Sequence, residues 1–213
     1  MALFQRKQPD VQSSAPLYTL SMSKTFLIVG LGNVGAEFNN TRHNIGFRAI
    51  DKFFEDQEFS NWINKKDMNC LIADKNIADT KVYLIKPTTM MNLSGEAVQK
   101  ISNFYKIDNS KIVVVYDELD INFGNIRITK GGSSAGHNGV KSLIQHIGED
   151  FGRIRIGVGP KNPPQIDSAD YVLGRFSNDE EAQMKALFNE TSSLITEAIF
   201  SSPLPNETRK FII

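Results

Sequence analysis

Two uninterrupted apolar runs, KTFLIVG at residues 24–30 and KIVVVY at 111–116, constrain this chain more than any other feature. A strand with one wet face alternates apolar and polar residues, whereas a strand covered on both faces reads as a continuous apolar run. Both runs therefore belong in a sheet sandwiched by helices. The intervening segments supply them: Ile45, Ala49, Ile50, Phe53 and Phe54 predict a helix over about 44–56, and Val98, Ile101, Phe104 and Tyr105 predict one over about 94–106, with Asn92 or Ser94 available as N-cap. MNCLIAD (68–74) and KVYLIK (81–86) read as a strand hairpin, the second strand stopped by Pro87. DELDINFG reads as a turn-rich connection, NIRIT (125–129) as a strand, and KGGSSAGHNG as a loop. That loop leads into a helix with Val140, Leu143, Ile144 and Ile147 on one face; His146 reads as a surface or boundary residue. RIRIGVG (153–159) alternates as a strand with one wet face. PKNPPQIDSAD is expected to be a loop leading to a short YVLGRF segment, and Ser177 with Glu180 forms a capping box for a last long helix. With no internal repeat and no linker, the pattern predicts a single-domain α/β/α sandwich with a twisted mixed, mostly parallel sheet over residues 23–213.

Composition limits the function classes. At 213 residues and 40% hydrophobic content the chain can bury the core of one domain. A formal net charge of zero excludes wholesale attraction to polyanions, so any nucleic-acid surface must be a local patch. Cys70 has no second cysteine to pair with, and the three histidines show no H-E-x-x-H spacing; a reducing compartment and no metal or other cofactor are expected. Residues 1–22 read as an extended N-terminal arm without the apolar region of a signal peptide, and no segment is long enough to span a bilayer. A cytoplasmic protein without membrane contact is expected.

Gly30, Gly32 and Gly35 fall at the G-x-G-x-x-G spacing of dinucleotide-binding loops. Such a loop needs a helix that starts at once and an acidic residue ending the next strand. Neither context is met, because AEFNNTRHN has no helical apolar face and Asp51 lies within a helix pattern. The same stretch carries Asn33 and Thr41-Arg42-His43-Asn44. A histidine beside a helix N-terminus has its charged form disfavoured by the helix dipole, which suits a base, although it can equally serve as a cap. Sheet geometry separates the two. Ligand sites of open α/β sheets lie beyond the carboxyl ends of parallel strands. Asn33, Met91 with Asn92, and Asp117 follow three different strands, so parallel pairing would bring them to one edge. His137 and Asn138, at the foot of the glycine-rich loop, can close over the same place.

That set suits acyl transfer to water. His43 would take the proton of water, and Asp117 would accept its other N–H and stabilise the imidazolium. Asn33, Asn92 and Asn138 offer uncharged donors and acceptors for the substrate carbonyl, the water or an oxyanion. No G-x-S-x-G is present, and Cys70 lies in a strand pattern as a buried thiol. Asp117, Glu118 and Asp120 could hold Mg²⁺, but an aspartate serving His43 explains DELD with less.

The blocks VGLGNVGAEFNNTRHNIGF, KPTTMMNLSGEAV, VVVYDELDINFGNIR and GGSSAGHNGVKSLIQHIG, followed by GRIRIGVG, resemble in order and spacing the signature blocks of bacterial-type peptidyl-tRNA hydrolase over about residues 24–200. The resemblance implies a monomeric, metal-independent esterase acting on peptidyl-tRNA. It places the catalytic histidine at His43, its orienting aspartate at Asp117, the substrate-binding asparagines at Asn33, Asn92 and Asn138, and an apolar substrate contact at Met91. His137 and Phe38 join the expected substrate contacts, and Asn33 counts as catalytic as well. Val34, Phe38 and Met90 depart from the family's usual proline, tyrosine and aromatic residue, and Ser-Ser-Ala replaces glycines in the lid loop, which should stiffen it. Arg127, Lys130, Lys141, Arg153 and Arg155 are the candidate contacts to tRNA phosphates, with the acceptor arm and terminal adenosine as the expected partner. Two other classes compete: a binding protein without catalysis, like the organellar splicing factors that share this fold, and a nucleotide-dependent oxidoreductase.

Overall fold

The computed structural model describes residues 24–201 and 206–210, so the predicted N-terminal arm lies outside the described residues. One eight-stranded sheet runs through the molecule. In chain order its strands are β1 (Lys24–Gly30), β2 (Ile63–Lys65), β3 (Cys70–Ile77), β4 (Thr80–Pro87), β5 (Ile112–Asn122), β6 (Asn125–Lys130), β7 (Gly152–Gly159) and β8 (Glu207–Lys210). Across the sheet they lie in the order β2-β3-β4-β1-β5-β7-β6-β8. The four central strands β4, β1, β5 and β7 are parallel, and antiparallel strands flank them on both sides. The helices are α1 (Ile45–Asp56), α2 (Ser94–Tyr105), α3 (Asn138–Ile147), α4 (Ser168–Leu173) and α5 (Asn178–Phe200).

Alternation along β1 explains the two layers. Phe26 and Ile28 face a core shared with α1 and α5, while Leu27 and Val29 face one shared with α2 and α3. A strand buried on both faces has no room for polar side chains, which is why KTFLIVG is continuous. The glycines of G-x-G-x-x-G serve this packing. A Cβ at Gly30 would stand 2.7 Å from the Gly46 carbonyl oxygen, and one at Gly46 would stand 2.3 Å from the Val115 carbonyl oxygen, so α1 sits close on β1 and β5 only because both are glycine. Gly35, at φ 123°, opens a single 3-10 turn, Ala36–Phe38, and not a helix, so the phosphate-binding context is missing.

Several local expectations change. DELDINFG is not a connection: β5 continues to Asn122, crossing a register irregularity between Glu118 and Asn122, and only Phe123 and Gly124 turn. Acidic residues made this strand end read as a loop, but two of them, Asp117 and Glu118, line a cavity. RIRIGVG has no wet face, because the lid loop covers Arg153, which is 2% exposed. Neither Asn92 nor Ser94 caps α2, whose N-cap position is Leu93, following a 3-10 turn at Met91–Leu93. The capping box of α5 forms as expected from Ser177 and Glu180. His146 is half-buried, its Nδ1 2.8 Å from the Ser142 carbonyl oxygen. The short edge strands β2 and β8 carry no apolar pattern; β8 is held by Arg209, which pairs with Glu197 at 2.6 Å and Glu207 at 2.7 Å.

Candidate active site

The carboxyl ends of β4, β1 and β5 meet at one edge, as their parallel pairing requires. The chain leaves β1 through Leu31 and Gly32 to Asn33, whose backbone is clamped by the Asn44 side chain: Asn33 N–H donates to Asn44 Oδ1 at 2.8 Å, and Asn44 Nδ2 donates to the Asn33 carbonyl at 2.9 Å. Asn33 Oδ1 in turn accepts the Met91 N–H at 2.8 Å. With its oxygen used, Asn33 offers the cavity its Nδ2 donor. Asn44 was not among the expected site residues; the only sequence signal was its place in TRHN.

His43 sits in the 3-10 turn Arg42–Asn44 that opens α1. Its neighbour Arg42 fastens this turn from behind. The Arg42 guanidinium lies 4.4 Å from the Tyr171 ring centre and 5.0 Å from that of Phe176, pairs with Glu180 at 2.9 Å, and donates to the Arg175 carbonyl. Main-chain bonding adds a bridge between Thr41 and Arg175. His43 is thereby held by α4 and the start of α5 as well as by its own helix.

Asp117, 2% exposed, stands between two imidazoles. His43 Nδ1 is 2.9 and 3.0 Å from its two carboxylate oxygens, and His137 Nε2 is 3.0 Å from Oδ1. The tautomer of His137 is set by backbone: its Nδ1 accepts the N–H groups of Gly139 at 3.1 Å and Val140 at 3.2 Å, capping α3, so its proton is on Nε2 and is donated to Asp117. His43 likewise donates Nδ1–H to Asp117, leaving Nε2 as a proton acceptor. Burial works against a charged His43, but the Asp117 carboxylate and its hydrogen bond outweigh that and raise the pKa above the ordinary histidine value. The helix-end expectation of a less basic His43 is thus reversed, because a hydrogen-bonded carboxylate acts more strongly than the first turn of a dipole. For Asp117, burial opposes ionisation, and the two imidazoles overcome it, holding the carboxyl well below the usual carboxylate range.

His43, Asp117 and His137 also bring three possible metal-ligand atoms within 4.8 Å of one another. A metal on His137 Nε2 would force its proton onto Nδ1, against the two N–H groups it now caps. The trio is therefore built for hydrogen bonds, and of the DELD acids only Asp117 belongs to it.

A cavity of about 630 Å³ opens over this trio. Asn33, His43, Met91, Asn92, Asp117, His137 and Asn138 all line it, so seven of the eight residues expected in the cleft come together. Phe38 does not: it is half-buried in its 3-10 turn, and its carbonyl accepts the Thr41 hydroxyl at 2.8 Å. Other contributors were unforeseen. Glu118 and Leu119 line the cavity from β5, and Val172 and Leu173 close it from α4, whose N-cap Asp167 accepts the Ala169 N–H at 2.8 Å. The Asp-Ser-Ala-Asp run beginning at Asp167 was a helix-start signal read as loop.

A model of the family described as peptidyl-tRNA hydrolase matches residues 27–211. The chain belongs to this family. Among curated members, the peptidyl-tRNA hydrolase of Clostridium botulinum is 45% identical over 82% of this chain and 89% of its own. That of Fervidobacterium nodosum is 47% identical over 81% and 86%. The crystal structure of the peptidyl-tRNA hydrolase from Acinetobacter baumannii superposes with a TM-score of 0.75 at 35% identity, covering 84% of this chain and 90% of that one. The protein is accordingly an enzyme, a hydrolase, and among the described residues no helix is long and apolar enough to cross a membrane.

The five basic residues expected on the tRNA side of this peptidyl-tRNA hydrolase divide sharply. Lys141 is exposed on α3. Lys130 is exposed and pairs with Asp150 at 2.7 Å, and Arg127 donates its Nε–H to the Thr208 hydroxyl at 3.1 Å. Arg155 is half-buried, 3.5 Å from Glu118. Arg153 must be struck from the set. Its guanidinium donates to the Ser133 carbonyl at 2.5 Å and to that of Gly132, and lies 4.7 Å from the Phe151 ring centre, leaving it no open side for a phosphate. It holds the foot of the loop that delivers His137 and Asn138.

Proposed function

We propose that this enzyme cleaves the ester between peptide and tRNA in peptidyl-tRNA with a water activated by His43. Nε2 takes a proton from water as the oxygen attacks the ester carbonyl. Asp117 keeps the proton-accepting lone pair on Nε2 and stabilises the imidazolium that forms. The Asn33 Nδ2 donor stabilises the tetrahedral oxyanion, a role in which a fixed donor costs no reorganisation during the reaction. On collapse the imidazolium returns its proton to the departing 3′-oxygen, and the products are a peptide carboxylate and free tRNA.

Asn92 and Asn138 orient the acyl group from opposite sides, Met91 supplies an apolar wall, and His137 ties the lid to Asp117. Arg127, Lys130, Lys141 and Arg155 take phosphates of the acceptor arm, and the enzyme acts as a cytoplasmic monomer. One observation carries the reading: an imidazole 2.9 Å from a buried carboxylate, its other nitrogen free, inside a cavity lined by three asparagines. The test is His43→Ala. Turnover of peptidyl-tRNA should fall by about 10²-fold or more while tRNA affinity and thermal stability stay close to the parent's; near-parental turnover would refute the mechanism.

A further inference from the structure

Glu118 is a buried carboxylate for which the reaction above has no use. It lines the catalytic cavity next to Asp117, yet it is only 5% exposed. A carboxylate offers about four acceptor sites, and one removed from water needs them filled. The partners of Glu118 are distant ones: the Asp120 N–H at 3.4 Å and Arg155 Nη1 at 3.5 Å. Arg155 is under-used as well, since its Nε is buried without a partner. By contrast Asp117, one residue earlier, has three contacts of 2.9–3.0 Å. The two adjacent carboxylates thus differ in kind: one is satisfied by protein, and the other is left to be satisfied by something entering the cavity.

Chemistry and position together name that group. An acceptor with a negative charge rejects phosphates and carboxylates and selects a hydrogen donor. The strand order decides which end of the substrate supplies it. Met91 and Asn92 lie at the β4 side of the cavity, Asn33 follows β1, and Glu118 is on β5 where it pairs with β7, the strand carrying Arg155. Beyond β7 lies β6 with Arg127 and Lys130. Glu118 therefore faces the nucleic-acid side of the scissile ester and not the peptide side. On that side the donor nearest the ester is the hydroxyl of the ribose carbon adjacent to the esterified one.

We infer that Glu118 is a specificity-determining residue that accepts the free 2′-hydroxyl of the terminal ribose and so fixes the esterified 3′-oxygen against His43. This rests on the peptidyl-tRNA hydrolysis proposed above. It predicts that the enzyme distinguishes an ester carried on ribose from one carried on deoxyribose, and that Glu118 is the source of the distinction.

The experiment is a two-by-two cycle of the enzyme and Glu118→Gln against peptidyl-tRNA ending in adenosine or in 2′-deoxyadenosine. Each rate is divided by the uncatalysed hydrolysis of the same ester, because the hydroxyl alters the ester's own reactivity. The parent should lose about tenfold or more in kcat/KM on the deoxy substrate, Glu118→Gln should lose a similar factor on the ribose substrate, and the two losses should not add. Losses that multiply would show that Glu118 acts elsewhere, through Arg155 or the fold, and would overturn the inference. So would equal parental cleavage of both substrates, which needs no variant at all. If the parent cleaved neither, the hydrolytic reading itself would fall, an outcome distinct from the other two.

Discussion

The catalytic end of the cleft and its basic flank are built on different principles, though both hang from the same sheet. At the catalytic end the groups around the imidazole pair are fixed by short bonds to backbone or to another buried group: Asn33 by Asn44 and Met91, His137 by two N–H groups, Asp117 by two imidazoles. On the flank, Lys130 and Lys141 are exposed, and the ion pair of Lys130 with Asp150 joins side chains that are 45% and 67% exposed. Such a pair contributes little to stability and yields readily to a phosphate. Chemistry on a single carbonyl needs geometry fixed in advance, whereas a polyanion is held by charge that tolerates displacement. Arg153 shows how the two regions meet: two residues before Arg155 on one strand face, it belongs to the rigid end because a loop has closed over it.

The comparison predicts a graded series. The largest effect after loss of His43 itself should come from Asp117→Asn, which is expected to lower kcat by about 10²-fold or more. It should also move the acid limb of the rate profile. Activity fails as His43 is protonated, so with its pKa raised by Asp117 the limb lies above where an ordinary histidine would put it. Removing the negative charge lowers that pKa and shifts the limb to lower pH. An unmoved limb would uncouple the pair.

Next is Arg153→Met, which orphans the carbonyls of Gly132 and Ser133 and should cost about 2–3 kcal/mol in denaturant unfolding. It should lower kcat through the lid while leaving the salt dependence of tRNA binding at the parental slope. A flattened slope would return Arg153 to the phosphate-binding set and blur the division.

Lys130→Ala should leave stability almost untouched, weaken tRNA binding, and reduce the slope of log affinity against log salt by about 0.7–0.9, one phosphate contact. Hydrolysis of a minimal peptidyl-nucleoside ester should be unchanged, and a loss there would place Lys130 in the rigid region. The smallest effect belongs to Ser177→Ala, which removes one half of the α5 capping box and should cost about 1 kcal/mol in stability with no change in either binding or turnover.

Much of this protein was written in its sequence by local periodicity. The apolar runs gave β1 and the first part of β5, the helical spacings gave α1, α2 and α3, and the capping box gave the start of α5, because burial on a strand or helix face imposes a repeat that a single sequence displays. The parallel edge that gathers Asn33, Met91, Asn92 and Asp117 followed from the same strands. What periodicity could not display was decided by packing. Arg153 looks like any surface arginine until the lid loop covers it, and Glu118 looks like loop polarity until β5 is seen to run on beneath the cavity. His137 takes its meaning from two backbone N–H groups and from a carboxylate 20 residues away in the chain, brought within 3.0 Å. Charged side chains carry no repeat that marks them as buried; only the fold, by supplying or withholding partners, sets whether each one holds the structure, binds the substrate or faces water.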